Sequence, residues 1–375
     1  MSFSERVLKN IERVLYRLRE LYQSYGYARY KVSKFEEYDL YAHNKSFLVS
    51  ERILSFTDTD GRLMALKPDV TLSIVKNVDD AEPTTRKLYY NETVYRTSAD
   101  AEGFREIMQT GLECIGNVDL YSMGEVLMLA QRSLALISDD YILDVSHMGF
   151  LSGLLESVGV EESNATRLLG YIGNKNIPAI QQLCRACGIE DEAINVICRV
   201  TDLYAPLSEA LQTVAPMVRG ETMQNAYDQL CGVAELLDAY GCAERVYLDF
   251  SIVNDMSYYN GIIFRGFVNG IPDGVLSGGR YDSLIRKMGK QGGAIGFAFY
   301  LDQLERYGTE EVQSDTDVLL LYDADVSPVD VVRTARELQK DGSRVLAQCG
   351  DVGGIRYRSL YRITEGGLKK LEAND

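Results

Sequence analysis

The chain has 375 residues, 46% of them hydrophobic and 25% charged, a globular composition long enough for two or three domains and without the roughly 20-residue apolar run that crosses a bilayer. Thirty-nine Lys and Arg against 55 Asp and Glu leave a formal charge of -16, which repels phosphate backbones and argues against stable binding of tRNA or DNA. Met1 to Asn10 run straight into a helical pattern with no apolar export segment, and the seven cysteines are irregularly spaced, so a cytoplasmic protein without a disulfide framework is expected.

In chain order, Val7, Leu8, Ile11, Val14, Leu15, Leu18, Leu21 and Tyr22 recur at steps of three and four and mark one helix face, with Ser2 and Glu5 as a capping box and Gly26 as the stop. Alternating stretches at 30–35, 63–66, 87–95 and 105–115, broken by turns such as Asp58-Thr59-Asp60-Gly61, predict antiparallel strands and hairpins. From about 157 to 240 the pattern is helical, punctuated by Pro178, Pro206 and Pro216, and reads as an insertion in the sheet domain. A second strand-rich block covers 245–268, and 295–307 reads as a strand passing into a helix. After a polar stretch at 309–315, an apolar strand at 318–322, a helix opened by Ser327 and Pro328, and a strand at 344–349 predict a β-α-β unit. The expected organisation is a sheet domain over 1–310 and a small C-terminal α/β domain over 316–375.

Four segments carry a resemblance. They are Leu66-Lys67-Pro68-Asp69-Val70-Thr71; Val94-Tyr95-Arg96 with Gly103 through Gln109-Thr110-Gly111-Leu112-Glu113; Tyr258-Tyr259-Asn260-Gly261; and Gly278-Gly279-Arg280-Tyr281-Asp282 with Ala294-Ile295-Gly296-Phe297-Ala298. In order and separation they resemble the catalytic domain of the histidyl-tRNA synthetase family. That resemblance implies an α+β fold of the class II aminoacyl-tRNA synthetase kind, an antiparallel sheet flanked by helices.

It also implies a pocket for free histidine. Asp69 and Thr71 stand where the family holds the α-ammonium, and Arg96 is suited to an α-carboxylate by a charge-assisted bond. Gln109 and Glu113, four apart, share one face of an extended strand, where a carboxylate accepts from an imidazole N–H; Tyr258 and Tyr259 suit an aromatic wall. From the residues alone, Asp69 and Thr71 also fit a surface turn, Arg96, Gln109 and Glu113 an exposed hairpin face, and Tyr258 and Tyr259 a pair of core aromatics.

Adenylation needs cations on the transferring phosphate, and here the pattern departs from the synthetases. Gln303 stands at the position of the motif 3 arginine, Asn254 at that of a catalytic arginine, Ser98 at the motif 2 glutamate and Ser33 at the motif 1 proline. An amino-acid pocket kept and a nucleotide pocket dismantled resemble the regulatory subunits of ATP phosphoribosyltransferase, with the 316–375 domain resembling a truncated anticodon-binding domain. The resemblance implies a non-catalytic, histidine-binding feedback subunit. It would be a homodimer built through the sheet and N-terminal helix, assembled with the short-form catalytic subunit of that enzyme into a hetero-oligomer, with no nucleic-acid or membrane partner. The alternatives are a divergent histidyl-tRNA synthetase and a synthetase-like interaction module without ligand. No cofactor is expected, and no metal: Cys184-x-x-Cys187 lacks a second pair, and His43 and His147 are the only histidines. Gly278, Gly279, Gly292 and Gly293 resemble no phosphate loop and are expected to permit close strand packing.

Overall fold

The computed structural model describes residues 10–48, 52–78, 85–97, 103–253, 259–307, 314–351, 353–364 and 367–373. The Ser2/Glu5 box, Ser98, Asn254 and Tyr258 lie outside these. The chain forms two compact units, Met1–Gly308 and Thr309–Asp375.

The first unit opens with α1 (Asn10–Ser24), β1 (Ala28–Arg29), β2 (Phe35–Glu37) and α2 (Tyr38–Ala42), then β3 (Ser55–Thr57), β4 (Leu63–Leu66), α3 (Thr71–Asn77), β5 (Arg86–Thr97) and β6 (Phe104–Gly116). Helix α1 buries Leu18 and Tyr22 completely, and Gly26 takes a φ of 81°, the left-handed turn that ends the helix without a Cβ penalty. The strand expected over 30–35 does not form. Pairing is confined to its two ends, where β1 just before it runs parallel to β5 and Phe35 opens β2 opposite Leu66 of β4; between them Val32 gives its N–H to the Glu92 carboxylate at 3.2 Å, so a side-chain acceptor replaces a neighbouring strand.

Next come α4 (Leu120–Ala135), β7 (Tyr141–His147), α5 (Met148–Ser157), α6 (Glu162–Gly173), α7 (Ile177–Ala186), α8 (Asp191–Asp202), β8 (Tyr204–Pro206), α9 (Leu207–Val214) and α10 (Gly220–Ala239). This helical stretch is not separate from the sheet. Its short strand β8 extends the sheet edge, and α10 crosses α4 and α5 closely because Gly124 and Gly153 face it. A Cβ at those positions would stand 2.5 Å from Leu236 Cδ1 and 2.7 Å from the Met223 nitrogen.

The unit closes with β9 (Val246–Asp249), β10 (Ile262–Val268), β11 (Leu276–Arg280), α11 (Asp282–Lys287), β12 (Gly293–Tyr300) and α12 (Leu301–Tyr307). The main sheet has nine strands in the order β1-β5-β6-β12-β11-β10-β7-β9-β8. It is antiparallel as expected except at β1/β5 and β7/β9, which are parallel. Strand alternation separates two cores. Tyr89, Leu112 and Ile295 join the large core with α4, α5 and α10. Tyr90, Ile115 and Ala294 point the other way, into a smaller core with α3, α11 and Tyr41. That second face carries the site.

The second unit contains β13 (Thr316–Tyr322), α13 (Pro328–Leu338), β14 (Val345–Cys349), β15 (Tyr357–Thr364) and β16 (Gly367–Ala373). Strand β13 is parallel to both β14 and β15, in the order β14-β13-β15-β16. Ser327 precedes α13 and Pro328 occupies its first turn. Val331 of the helix packs on Leu320 and Ile363.

Candidate functional site

A cavity of about 210 Å³ opens on the second face of the sheet, smaller than the roughly 300–1,000 Å³ of drug-sized sites and suited to a single amino acid. Asp69, Thr71, Arg96, Gln109, Glu113 and Tyr259 all line it. Asp69, Thr71, Gln109 and Glu113 are buried, so neither the surface turn nor the exposed hairpin describes them.

The turn from β4 into α3 places the first pair. Asp69 Oδ1 accepts the Leu72 N–H at 2.8 Å, holding the first turn of α3, while Oδ2 stands 3.7 Å from Arg96 Nη2. Burial raises the Asp69 pKa above the ordinary carboxylate value, opposed by Arg96 and by the N–H groups of Leu72 and Thr71. Arg96 Nε donates to the Pro68 carbonyl at 2.6 Å, and buried Lys67 pairs with Glu92 Oε2 at 2.5 Å. Both contacts pin the turn onto β5.

Strand β6 supplies Gln109 and Glu113, on one face as the period of two requires. Glu113 Oε1 accepts from Thr71 Oγ1 at 2.7 Å, and Oε2 accepts from the Tyr281 hydroxyl. Burial nevertheless pushes the Glu113 pKa up to about 8, with Asp69 adding to the shift and the two hydroxyls opposing it. Gln109 Nε2 is buried with no hydrogen-bond partner among the described residues. An orphaned donor of this kind is costly unless a ligand engages it.

Glycines keep the floor of the cavity low. A Cβ on Gly296 would stand 1.9 Å from Glu113 Oε2, and one on Gly279 2.7 Å from Tyr259 Cδ1. Tyr259 is followed by Asn260, whose Oδ1 accepts the Asp282 N–H at 3.0 Å. Asp282 in turn accepts from Arg280 Nε at 2.8 Å and from the Ala294 N–H at 3.0 Å. Asn260 thus ties its segment to the Gly-Gly-Arg-Tyr-Asp segment by a hydrogen bond. Gly278 likewise permits close packing, since a Cβ there would meet the Gly296 carbonyl at 2.4 Å.

Among the cavity residues not singled out as site residues from the sequence are Tyr281, Gly296 and Tyr90. Tyr281 and Gly296 lie inside quoted motifs, and Tyr281 follows the glycine pair by two residues, but no local pattern shows that its hydroxyl reaches a strand 168 residues away in sequence. Among the described residues, Arg96 is the one Lys or Arg lining the cavity. Gln303 lies on α12 with its Oε1 buried and unpartnered among the described residues. Ser33 is exposed and accepts the Phe35 N–H at 3.4 Å. Among the described residues no group of three His, Cys, Asp or Glu is arranged to hold a metal ion, and no helix is long and apolar enough to cross a membrane. His147 is buried and accepts the Gly149 N–H at 3.1 Å, a helix-capping role.

The histidyl-tRNA synthetase family profile matches residues 3–304. The ATP phosphoribosyltransferase regulatory subunit of Oceanobacillus iheyensis is 28% identical over an alignment of 380 positions, taking in 100% of this chain and 93% of the relative. Among solved structures, an ATP phosphoribosyltransferase regulatory subunit/histidyl-tRNA synthetase from Bacillus halodurans matches with a TM-score of 0.78 at 24% identity, covering 94% of this chain and 93% of that one. A chain of the ATP phosphoribosyl transferase (HisG:HisZ) complex from Thermotoga maritima matches at 0.62 and 17% identity, covering 78% of this chain and 97% of that one. At these identities the structural likenesses establish the fold.

Proposed function

The chain belongs to the histidyl-tRNA synthetase family, and from that premise we propose that it is a non-catalytic regulatory subunit of ATP phosphoribosyltransferase that binds free histidine in this cavity. The observation that carries the reading is the donor set: two buried carboxyls, an orphaned Gln109 amide and one arginine. Such a set matches an amino acid and is poor in charge for a triphosphate. Asp69 takes the α-ammonium, Arg96 and Gln109 Nε2 the α-carboxylate, and Glu113 the imidazole, with Tyr259 as the aromatic wall. Thr71 and Tyr281 orient the Glu113 carboxyl.

Regulation follows if histidine prefers one state of the assembly, since an effector shifts an equilibrium only by its differential affinity. The regulatory-subunit names of the relatives support a hetero-oligomer with a catalytic subunit. The family's dimer-building helix and sheet support a homodimer within it. The acidic charge argues against a nucleic-acid partner.

The family match keeps one rival in view, a divergent synthetase. Histidine-dependent pyrophosphate exchange separates the two: none is expected, because Gln303 and Asn254 replace phosphate-neutralising arginines, and turnover of about 1 per second or faster overturns the proposal. Calorimetry with histidine, then inhibition assays on the complex with the catalytic subunit, tests the rest.

A further inference from the structure

Among the described residues, no cation is directed at Glu113. Thr71 and Tyr281 already hold its two oxygens. Among the described residues, the charged and titratable groups around it are Asp69 from the turn before α3, Tyr90 and Arg96 from β5, Tyr281 before α11, Tyr27 after α1, and the cavity tyrosines Tyr259 before β10 and Tyr300 at the end of β12. From β12 the directly opposite residue is Gly296. Arg96 directs its Nε to the Pro68 carbonyl and its Nη2 toward Asp69, and Asp69 itself disfavours a second negative charge. Buried in these surroundings, Glu113 keeps its proton to about pH 8. A neutral carboxyl gains by donating to a ring nitrogen that accepts, whereas a permanent cation in the same place forces the proton out to solvent.

On the histidine reading above, we propose that the cavity binds its imidazole ligand as a one-proton pair, in which Glu113 supplies the single proton that it and the ring then share. The O–H of Glu113 becomes an O–H–N hydrogen bond to the ring lone pair, and no proton is exchanged with solvent while the acid is protonated and the free ring neutral. The ligand class is therefore a neutral azole with an accepting ring nitrogen, discriminated from amino acids with permanently cationic side chains.

The proton balance sets the pH dependence. Above about pH 8 the empty site has lost the proton and must recover it on binding. Below the ordinary imidazole value of about 6.5 the free ligand brings a proton that must leave. Affinity is then flat between these limits and falls about tenfold per pH unit on either side.

Calorimetry with L-histidine, in buffers of two ionisation heats from about pH 5 to 9, counts the protons. Wild type is expected to take up about three-quarters of a proton more than Glu113→Gln at about pH 8.5, the amine of the ligand contributing equally to both. Equal proton numbers overturn the proposal alone, while absence of histidine binding at every pH overturns the histidine reading and the proposal together. Should the variant bind too weakly to titrate, the infrared difference spectrum of the ligand-free proteins at about pH 7 decides. A protonated-carboxyl band present in wild type and missing in Glu113→Gln carries the proposal; no such band overturns it.

Discussion

Gly296 lies directly opposite Glu113 in the ladder between β12 and β6, and the carboxyl of Glu113 lies over the space a Cβ on Gly296 would fill, 1.9 Å from Oε2. The same Cβ would stand 2.4 Å from the Leu112 carbonyl oxygen, a backbone atom with no freedom to move aside. Gly296→Ala should therefore cost about 1–3 kcal/mol of stability, as overpacking does, and reduce histidine affinity by displacing Glu113. Thermal unfolding and calorimetry on the variant check both; unchanged affinity would mean that the Glu113 position does not matter to the ligand.

Replacing Glu113 itself should change how stability depends on pH. The folded carboxyl titrates at about 8 against an ordinary 4.5, so between those values the folded state holds more protons than the unfolded chain and stability falls as pH rises. Glu113→Gln removes that loss. Close to wild type at about pH 5, the variant should gain relative to it by up to about 1.4 kcal/mol per pH unit toward pH 8. Denaturant unfolding at several pH values measures this, and a difference independent of pH would show that Glu113 is ionised throughout.

Gln109 offers the opposite signature. Its Nε2 is buried without a partner among the described residues, a burden of about 1–3 kcal/mol on the empty fold. Gln109→Leu, similar in size and without the amide, should be as stable as wild type or more so, yet bind histidine about five- to 150-fold more weakly. Loss of stability together with unchanged affinity would assign the residue to the core.

The residues proposed to hold histidine all belong to the first compact unit. A chain ending at Gly308 should bind histidine within about threefold of the full-length protein, a difference of roughly 0.7 kcal/mol or less. A larger loss, in a truncated chain that still unfolds cooperatively, would give the 309–375 unit a part in the site.

Most secondary structure was legible because the signals are local. The three-and-four spacing of α1, the alternation of β5 and β6, and Ser327-Pro328 before α13 each depend on neighbours in sequence. Where a distant group intervened, local pattern failed. At 30–35 the Glu92 carboxylate, 60 residues on from Val32, takes the N–H a strand would share. Strand β8 was hidden inside a helical stretch because its pairing partner β9 lies some 40 residues away.

For the site the division is the same. By itself the sequence determined which side chains were available: the resemblance of its motifs to the histidyl-tRNA synthetase family singled out Asp69, Thr71, Arg96, Gln109, Glu113 and Tyr259, and put Gln303 where that family has a cation. The tertiary structure alone decided their chemical state. Burial raises the Glu113 pKa, with no cation directed at it among the described residues, the hydroxyls of Thr71 and Tyr281 converge on it from two separate elements, and Gly296 clears the space it occupies. Desolvation and hydrogen bonding depend on what surrounds a group in three dimensions, and four strands of the sheet order, β5-β6-β12-β11, bring those surroundings together from segments more than 100 residues apart.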